Sequence, residues 1–221
     1  AVGWEGVIYK TADGGMNWTK LNSGTSEHIT SVMSISGILY ATTESGKILR
    51  CSDQLNWNSY TIPNYIGNNI HFFYNFQGYF TGGQEGQIAK TTNGGTSWEI
   101  ITTNFKGTIR KVFFVSSSNG FAISQIYNKV DNTTTCQILK TNDGGSNWTI
   151  LYEEQNVILN DLHFTDNLHG YFVGTNGNII LTVNGGTSFS KASSNVSQVL
   201  NSIDFINEFT GYIVGNKGTI L

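Results

Sequence analysis

The chain has 221 residues, of which 38% are hydrophobic and only 12% are charged. Globular chains usually carry about 25% charged residues. There are 26 glycines and a single proline, a balance typical of a structure rich in strands and turns. The net charge is -3 and no basic run occurs, which argues against a nucleic acid or an anionic membrane as partner. No stretch approaches the ~20 apolar residues that a membrane-spanning helix needs, so no membrane insertion is predicted.

The beginning of the chain, its composition and its cysteines add three expectations. The chain starts at Ala1 without a signal-peptide pattern, so we expect a cut end. Low charge with abundant Asn, Ser, Thr and Gly indicates an extracytoplasmic protein of a bacterium: secreted, periplasmic or on the cell surface. Cys51 and Cys136 form no Cys-x-x-Cys motif and no metal-ligand spacing with histidine. No metal, no cofactor and no disulfide is therefore predicted.

A short motif, here called the box, occurs five times and defines an internal repeat. Four copies have the form Thr-x-Asp/Asn-Gly-Gly-x-Asn/Ser-Trp/Phe, and one copy, from Cys51 to Trp57, is a residue shorter and lacks both glycines. The aromatic residues that end the copies are Trp18, Trp57, Trp98, Trp148 and Phe189. Their steps of 39, 41, 50 and 41 residues fit the period of a β-propeller blade.

Two further elements precede the boxes. A Gly-Tyr/Phe-x-x-Gly run followed by Gly-x-Ile predicts two strands joined by a tight turn. Upstream of it, an apolar-x-Phe element predicts another strand, and its Phe stands six residues before the first Gly of the run. Each unit therefore predicts four antiparallel strands, A to D, with the box at the turn from C to D. No window sustains helical spacing, which excludes a helical solenoid.

We predict an all-β chain, a single β-propeller domain spanning residues 1–221 and built of four-stranded antiparallel blades. The expected repeats, four complete and two partial, cover approximately 1–27, 28–66, 67–107, 108–157, 158–198 and 199–221. The first unit begins inside strand B and the last ends inside strand C. Either the ring has about six blades or the chain is a fragment of a seven-bladed ring, incomplete at both ends. We expect a fragment, because propellers normally seal their open edges.

The box resembles the Asp-box, or bacterial neuraminidase repeat, over essentially the whole chain. The added Gly-Tyr/Phe-x-x-Gly-x-x-Gly-x-Ile element is most similar to the photosystem II assembly and stability factor family and its non-photosynthetic bacterial relatives. This resemblance implies a propeller that is a scaffold for protein-protein interaction and not an enzyme. The alternative is a carbohydrate-active or carbohydrate-binding domain, a fragment of a glycoside hydrolase of the sialidase or xyloglucanase type.

The residue types of the box suit a structural turn. Asp and Asn accept backbone N–H groups in Asx-turns, and glycines adopt positive φ without Cβ strain. Two of the four well-preserved copies carry Asn, a change that a catalytic acid or a calcium ligand would not tolerate. We assign a structural role to the box residues, which are Asp13, Gly15, Trp18, Asp53, Trp57, Asn93, Gly95, Trp98, Asp143, Gly145, Trp148, Asn184, Gly186 and Phe189.

The known active sites of the superfamily are not found in this sequence. Sialidases bind the substrate carboxylate with three arginines, whereas this chain has only Arg50 and Arg110. Xyloglucan hydrolases use two carboxylates, but no spacing singles out a pair here. Asp161 and Asp204 fall on strand A and could approach the channel. No catalytic residue is predicted, and we interpret His71 and His163, also on strand A, as hydrogen-bonded structural histidines.

A partner-binding face is predicted from the wiring of the blades. The loops from D to A and from B to C share one face, and the boxes lie on the other. The fourth unit is expanded between Ser124 and Gln137, and Trp4 is the one tryptophan outside the boxes. An exposed Trp in such a turn anchors a peptide or stacks on a sugar, so we expect a protein partner, with a glycan as the alternative. The candidate residues are Trp4, Glu5, Glu44, Gln84, Glu85, Tyr127, Lys129, Asp131, Asn176 and Lys217.

Overall fold

The chain divides into two compact units, Ala1–Ile101 and Thr102–Leu221, both built from antiparallel β-sheets. Each sheet is called a blade, and the blades are numbered 1 to 6 along the chain. Within every blade, strands that are adjacent in sequence are also adjacent in space. The computed structural model describes residues 1–53, 56–62, 65–67, 69–74, 76–83 and 85–221.

The first unit contains blades 1 to 3. Blade 1 has two strands, and a bridge between Val2 and Ile8 adds the beginning of a third. Its strands are β1 (Val7–Lys10) and β2 (Thr19–Asn22). The strands of blade 2 are β3 (Ile29–Ile35), β4 (Ile38–Thr43), β5 (Lys47–Cys51) and β6 (Asn58–Thr61). Those of blade 3 are β7 (Asn69–Tyr74), β8 (Gln77–Thr81), β9 (Gln87–Thr91) and β10 (Glu99–Thr102).

The second unit contains blades 4 to 6. The strands of blade 4 are β11 (Thr108–Phe114), β12 (Gly120–Asn128), β13 (Thr133–Thr141) and β14 (Thr149–Gln155). Those of blade 5 are β15 (Leu159–Phe164), β16 (Gly170–Gly174), β17 (Ile179–Thr182) and β18 (Ser190–Ala192), and those of blade 6 are β19 (Leu200–Asn207) and β20 (Thr210–Gly215). The prediction of an all-β chain with four complete and two partial antiparallel blades is confirmed.

A phenylalanine of the first strand covers a glycine of the second strand in four blades. Phe114 and Gly120 are cross-strand partners in blade 4, as are Phe164 and Gly170 in blade 5. A Cβ atom at Gly170 would lie 2.3 Å from the Phe164 ring, and one at Gly120 would lie 2.7 Å from the Phe114 ring. The six-residue spacing in the sequence is therefore steric, because the ring occupies the space of a side chain. The other two pairs are Phe72 with Gly78 and Phe205 with Gly211.

Neighbouring blades within a unit share their hydrophobic cores. In the second unit, Phe121 of blade 4 stacks on Phe164 of blade 5, with ring centroids 4.0 Å apart. In the first unit, Tyr40 of blade 2 stacks on Phe72 of blade 3 at 4.1 Å. All four rings are buried. A blade therefore covers its apolar faces with adjacent blades, as repeat units generally do.

Candidate functional site

In blades 1, 2 and 5, the turn that precedes the third strand lies against the loop that leaves the fourth strand of the same blade. A Cβ atom at Gly6 would lie 1.8 Å from the carbonyl oxygen of Thr25, and one at Gly177 would lie 2.0 Å from that of Val196. The backbone N–H of Gly177 also donates to the carbonyl of Gln198, at 2.8 Å. The end of a blade that carries the turn from the second to the third strand is here called the loop edge.

Three candidate residues occupy the middle position of these turns. Glu5, Asn176 and Lys217 have φ angles of 55°, 58° and 57°, and all three side chains are exposed. Left-handed backbone is uncommon for residues other than glycine and is least unfavourable for Asn. The turns therefore hold a strained residue at the loop edge and present its side chain to solvent.

Among the described residues of the first unit, Trp4 has the highest exposed fraction of any aromatic side chain. Its side chain is 72% exposed, and its ring stacks on the imidazole of His28 with centroids 4.2 Å apart and planes 8° apart. His28 Nδ1 lies 3.8 Å from a carboxylate oxygen of Glu44. The structure thus brings Trp4 and Glu44 to the same histidine, a residue that the sequence did not single out. One face of the indole is held in place and the other remains open.

Two further acidic residues, Glu27 and Glu85, lie in turns or loops of the first unit. Glu27 accepts hydrogen bonds from the Lys47 ammonium and the Ser45 hydroxyl. Burial raises the pKa of Glu27, but these two donors outweigh it and lower the pKa to about 2. Glu85 is exposed in the corresponding turn of blade 3, and Gln84 lies outside the described residues.

The expansion of the fourth unit is an ordered hairpin. Beyond the blade, β12 and β13 continue to pair up to Asn128 and Thr133. Tyr127 is 55% exposed and donates its hydroxyl to the side-chain oxygen of Asn132, at 2.6 Å. Asp131 accepts hydrogen bonds from the backbone and side chain of Thr133. Lys129 is exposed at the tip beside Val130, which is 96% exposed, so this candidate surface faces solvent and is not purely polar.

The longer strands of blade 4 also create a groove, which the sequence analysis missed. Strand β14 has seven residues, whereas the fourth strands of blades 2, 3 and 5 have four, four and three. Two cavities of about 390 and 370 Å³ adjoin along it and share Ile126 and Gln137. The step of 50 residues between boxes was the available signal, and it predicted the expansion between Ser124 and Gln137 but not the groove beside it.

Asp161 is a structural carboxylate. Its side chain is only 3% exposed and pairs with the Lys111 ammonium. It also accepts hydrogen bonds from the hydroxyl of Ser202, at 2.6 Å, and from the backbone N–H of Ile203, at 3.1 Å. The carboxylate therefore ties together the first strands of blades 4, 5 and 6, and its oxygens are already engaged. A general acid or base needs access to a substrate, which this arrangement does not give.

His163 lies between aromatic rings on the neighbouring first strands. The ring centroids of Phe113 and Phe205 are 5.1 and 5.2 Å away, and Nδ1 lies 3.3 Å from Asp204. Burial lowers the pKa of His163, although the charge of Asp204 partly opposes this. In the described part of the chain, no three His, Cys, Asp or Glu side chains gather as they would around a metal ion.

The box turns come in two chemically matched forms. In blade 4, Asp143 accepts hydrogen bonds from the backbone and side-chain nitrogens of Asn147, at 2.9 and 2.8 Å. In blade 5, Asn184 accepts from the backbone N–H of Ser188, at 2.9 Å, and donates to its hydroxyl, at 2.8 Å. An acceptor therefore faces a donor in both forms. The pairs are Asp13 with Asn17, Asp53 with Asn56, Asn93 with Ser97, Asp143 with Asn147 and Asn184 with Ser188.

The aromatic residues of the boxes differ in their burial. Trp148 is buried against Phe114 of its own blade and donates its indole N–H to the Gly145 carbonyl, at 2.9 Å. Trp18 makes the equivalent hydrogen bond but is 50% exposed, because the two strands of blade 1 include no first-strand phenylalanine. Trp98 is buried, and its indole nitrogen has no hydrogen-bond partner among the described residues.

Comparison with known proteins bears on both fold and family. A family model described as photosynthesis system II assembly factor YCF48 matches residues 146–221. No curated protein matches the chain. No helix in the described residues has the length and apolar character needed to cross a membrane.

Three solved structures resemble the whole chain. A structure of YCF48 bound to D1 peptide is 18% identical, covers 99% of this chain and 87% of its own, and has a TM-score of 0.57. YCF48 from Cyanidioschyzon merolae is 16% identical, with coverages of 99% and 88% and the same TM-score. The WD40 β-propeller domain of Doa1 is 10% identical, with coverages of 99% and 72% and a TM-score of 0.75. The chain is therefore a β-propeller that resembles the photosystem II assembly factors, as its motifs predicted.

Proposed function

We propose that the chain is a non-catalytic propeller that binds a protein partner through the loop edge. The observation that carries the proposal is the exposed indole of Trp4, which is fixed on His28 while its other face stays open. Large aromatic side chains held in this way are typical anchors of protein interfaces, because little conformational entropy is lost when a partner covers them. The similarity to assembly factors supports the same role, and one solved relative is described as bound to a peptide.

The proposed contact residues belong to two groups, one in each unit. In the first unit they are Trp4, Glu5, Glu44 and Glu85, with Gln84 outside the described residues. In the second unit they are Tyr127, Lys129, Asp131, Asn176 and Lys217. We further propose that the protein acts outside the cytoplasm of a bacterium, which its low charge supports. Cell fractionation with an antibody against the chain tests this, and recovery with the cytosolic proteins would contradict it.

The proposed function is tested by selecting binders from a displayed library of random peptides while screening the chain on a glycan array and for oligosaccharide hydrolysis. We expect selected peptides to lose about tenfold or more in affinity against Trp4→Ala or Tyr127→Ala. Phe209→Ala is the matched control, because Phe209 is 87% exposed in the turn between the first two strands of blade 6 and lies away from the loop edge. Reproducible turnover of an oligosaccharide, or glycan binding without any peptide binder, would replace this proposal with the carbohydrate alternative.

A further inference from the structure

Strand β14 is the outermost strand of blade 4, and its outer side is open. It pairs with β13 on one side, and no strand among the described residues pairs with it on the other. With seven residues, it is also the longest fourth strand in the described part of the chain. A long unpaired edge offers backbone donors and acceptors to another extended chain.

The residue just before β14 already has a substitute for a neighbouring strand on this side. The side-chain oxygen of Asn104 accepts from the backbone N–H of Trp148, at 2.9 Å, and its side-chain nitrogen donates to the Trp148 carbonyl, at 3.3 Å. An added strand would make the same two kinds of hydrogen bond. Because backbone groups in a strand repeat every two residues, Ile150 directs its own N–H and carbonyl to the same open side. The next residue, Leu151, is a bulge at which the register with β13 shifts.

The groove beside this edge has an apolar section. Phe105, Ile126, Trp148 and Ile150 line the cavity of about 390 Å³, together with Asn104, Lys106 and Gln137. Phe105 and Trp148 are buried, whereas Ile150 remains 48% exposed at the rim. A cavity of this size holds one bulky apolar side chain, and filling it would remove the exposed part of Ile150 from water.

The adjoining section of the groove is acidic. Glu153 and Glu154 line the second cavity, of about 370 Å³. Glu154 is already engaged, since it pairs with Lys191 and accepts from the Tyr152 hydroxyl at 2.6 Å. Glu153 is exposed, accepts only from the Gln137 side chain, at 3.1 Å, and forms no ion pair within the described residues. This carboxylate is therefore available to a basic side chain.

We propose that β14 is a docking edge for an extended segment of a partner protein, which adds as a further strand beside it. The segment carries a bulky apolar side chain for the cavity at Trp148 and Ile150 and a basic side chain for Glu153. Main-chain hydrogen bonds provide affinity in this mode, and the two side chains provide selectivity. The inference rests on the proposed function, because it describes the chemistry of the partner and adds a second contact area.

The test uses synthetic decapeptides of Thr and Val with one apolar position, Leu or Ala, and one charged position, Lys or Glu. Binding to the full chain is measured by fluorescence anisotropy. We expect the Leu and Lys peptide to bind about tenfold more tightly than the Leu and Glu peptide, and Glu153→Lys to reverse this order. Ile150→Asp should abolish binding of both. Glu99→Lys is the matched control, because Glu99 is an exposed acid at the start of β10, the fourth strand of blade 3.

Amide hydrogen exchange distinguishes strand addition from contact through side chains alone. Bound peptide should slow exchange within residues 148–155. If wild type shows no preference for Lys, if Glu153→Lys leaves the order unchanged, or if exchange in β14 is unaffected, the docking edge is wrong. If any of these three results is obtained while Trp4→Ala still weakens binding of the display-selected peptides, the docking edge is overturned and the proposed function stands. If neither peptide set binds, both proposals fail.

Discussion

Blades 4 and 5 lie side by side in the second unit and show which parts of the repeat are fixed. Both have a phenylalanine over a glycine at the start of the second strand and a box turn between the third and fourth strands. They differ in strand length, with nine, nine and seven residues in β12, β13 and β14 against five, four and three in β16, β17 and β18. The second strands begin at equivalent glycines, so the extra length of β12 extends toward the loop edge. The core and the box turns therefore restrain one end of a blade, while the other end is free to vary.

The largest expected effect comes from breaking the contact that joins the two blades. Asp161→Ala removes a buried carboxylate and leaves Lys111 and Ser202 without their partner. Removing one member of a buried ion pair costs about 3–5 kcal/mol, so we expect a loss of that order in the free energy of unfolding, measured by urea denaturation. Asp204→Ala is the control, because its side chain is 83% exposed and should change stability by about 0.5 kcal/mol or less. Similar losses for the two variants would show that Asp161 does not join the blades.

The next largest effect is expected from a substitution in the box turn of blade 5, the end of the blade that the core restrains. Gly186→Val forces a β-branched residue to adopt a φ of 86° and places its Cβ 2.6 Å from Leu151 and 3.2 Å from Phe121. Backbone strain and overpacking each cost about 1–3 kcal/mol, so we expect a loss of about 3 kcal/mol or more. Gly14→Val in blade 1 has a similar φ of 70° but no atom within 4 Å, so it should lose only the strain. Thermal denaturation of both variants separates the two contributions, and equal melting temperatures would mean that packing around Gly186 contributes nothing.

A smaller effect is expected from exchanging the box chemistry of the two blades. Asp143→Asn places an amide donor against the side-chain amide of Asn147, and we expect it to cost about 1 kcal/mol. Adding Asn147→Ser recreates the pair found in blade 5 and should recover most of the loss. A double-mutant cycle from urea denaturation measures the coupling between the two positions. If the second substitution adds to the loss instead of recovering it, the match between the two residues is not what permits the exchange.

The double variant, with Asp143→Asn and Asn147→Ser, should differ from the wild type in how its stability depends on pH. The backbone N–H of Asn147 holds the pKa of Asp143 below its usual value of 3.8. The unfolded chain therefore takes up this proton first, so the contribution of Asp143 to stability is present above pH 3.8 and is lost as the pH falls below it. Asn does not titrate in this range. The double variant should consequently lose less stability than the wild type between pH 5 and pH 3, and parallel curves would contradict the assignment.

The sequence predicted the features that recur at fixed spacing. The boxes and the pairs such as Phe164 with Gly170 are local patterns, and they gave the blades, their strand order and the fold. The exchange of Asp for Asn is visible in the sequence as well, and so is the accompanying exchange of Asn for Ser four residues later, which donor and acceptor chemistry explains. The contact between Trp4 and His28 could not be predicted from a local pattern, because it depends on how a turn packs against a loop that is distant in sequence. The groove along β14 likewise depends on three strands being long together.

The smallest expected effect on stability comes from shortening the free end of blade 4. Replacing Tyr127–Thr134 by Asn-Gly leaves the directly opposed pair of Ile126 and Thr135 joined by a two-residue turn. The removed residues pair only with one another, apart from the Thr134 carbonyl that accepts from exposed Asn156, and water can replace that bond. The free energy of loop closure changes by about 1 kcal/mol, so the melting temperature should shift by about 4 °C at most. Peptides selected for contact with Tyr127 should lose their affinity.

Removal of Gln125 to Thr135 is the contrasting deletion, because it also removes Ile126 from the groove and the hydrogen bond between Gln125 and Arg110. That variant should melt lower than the first, and equal melting temperatures would show that the base of the hairpin is as dispensable as its tip.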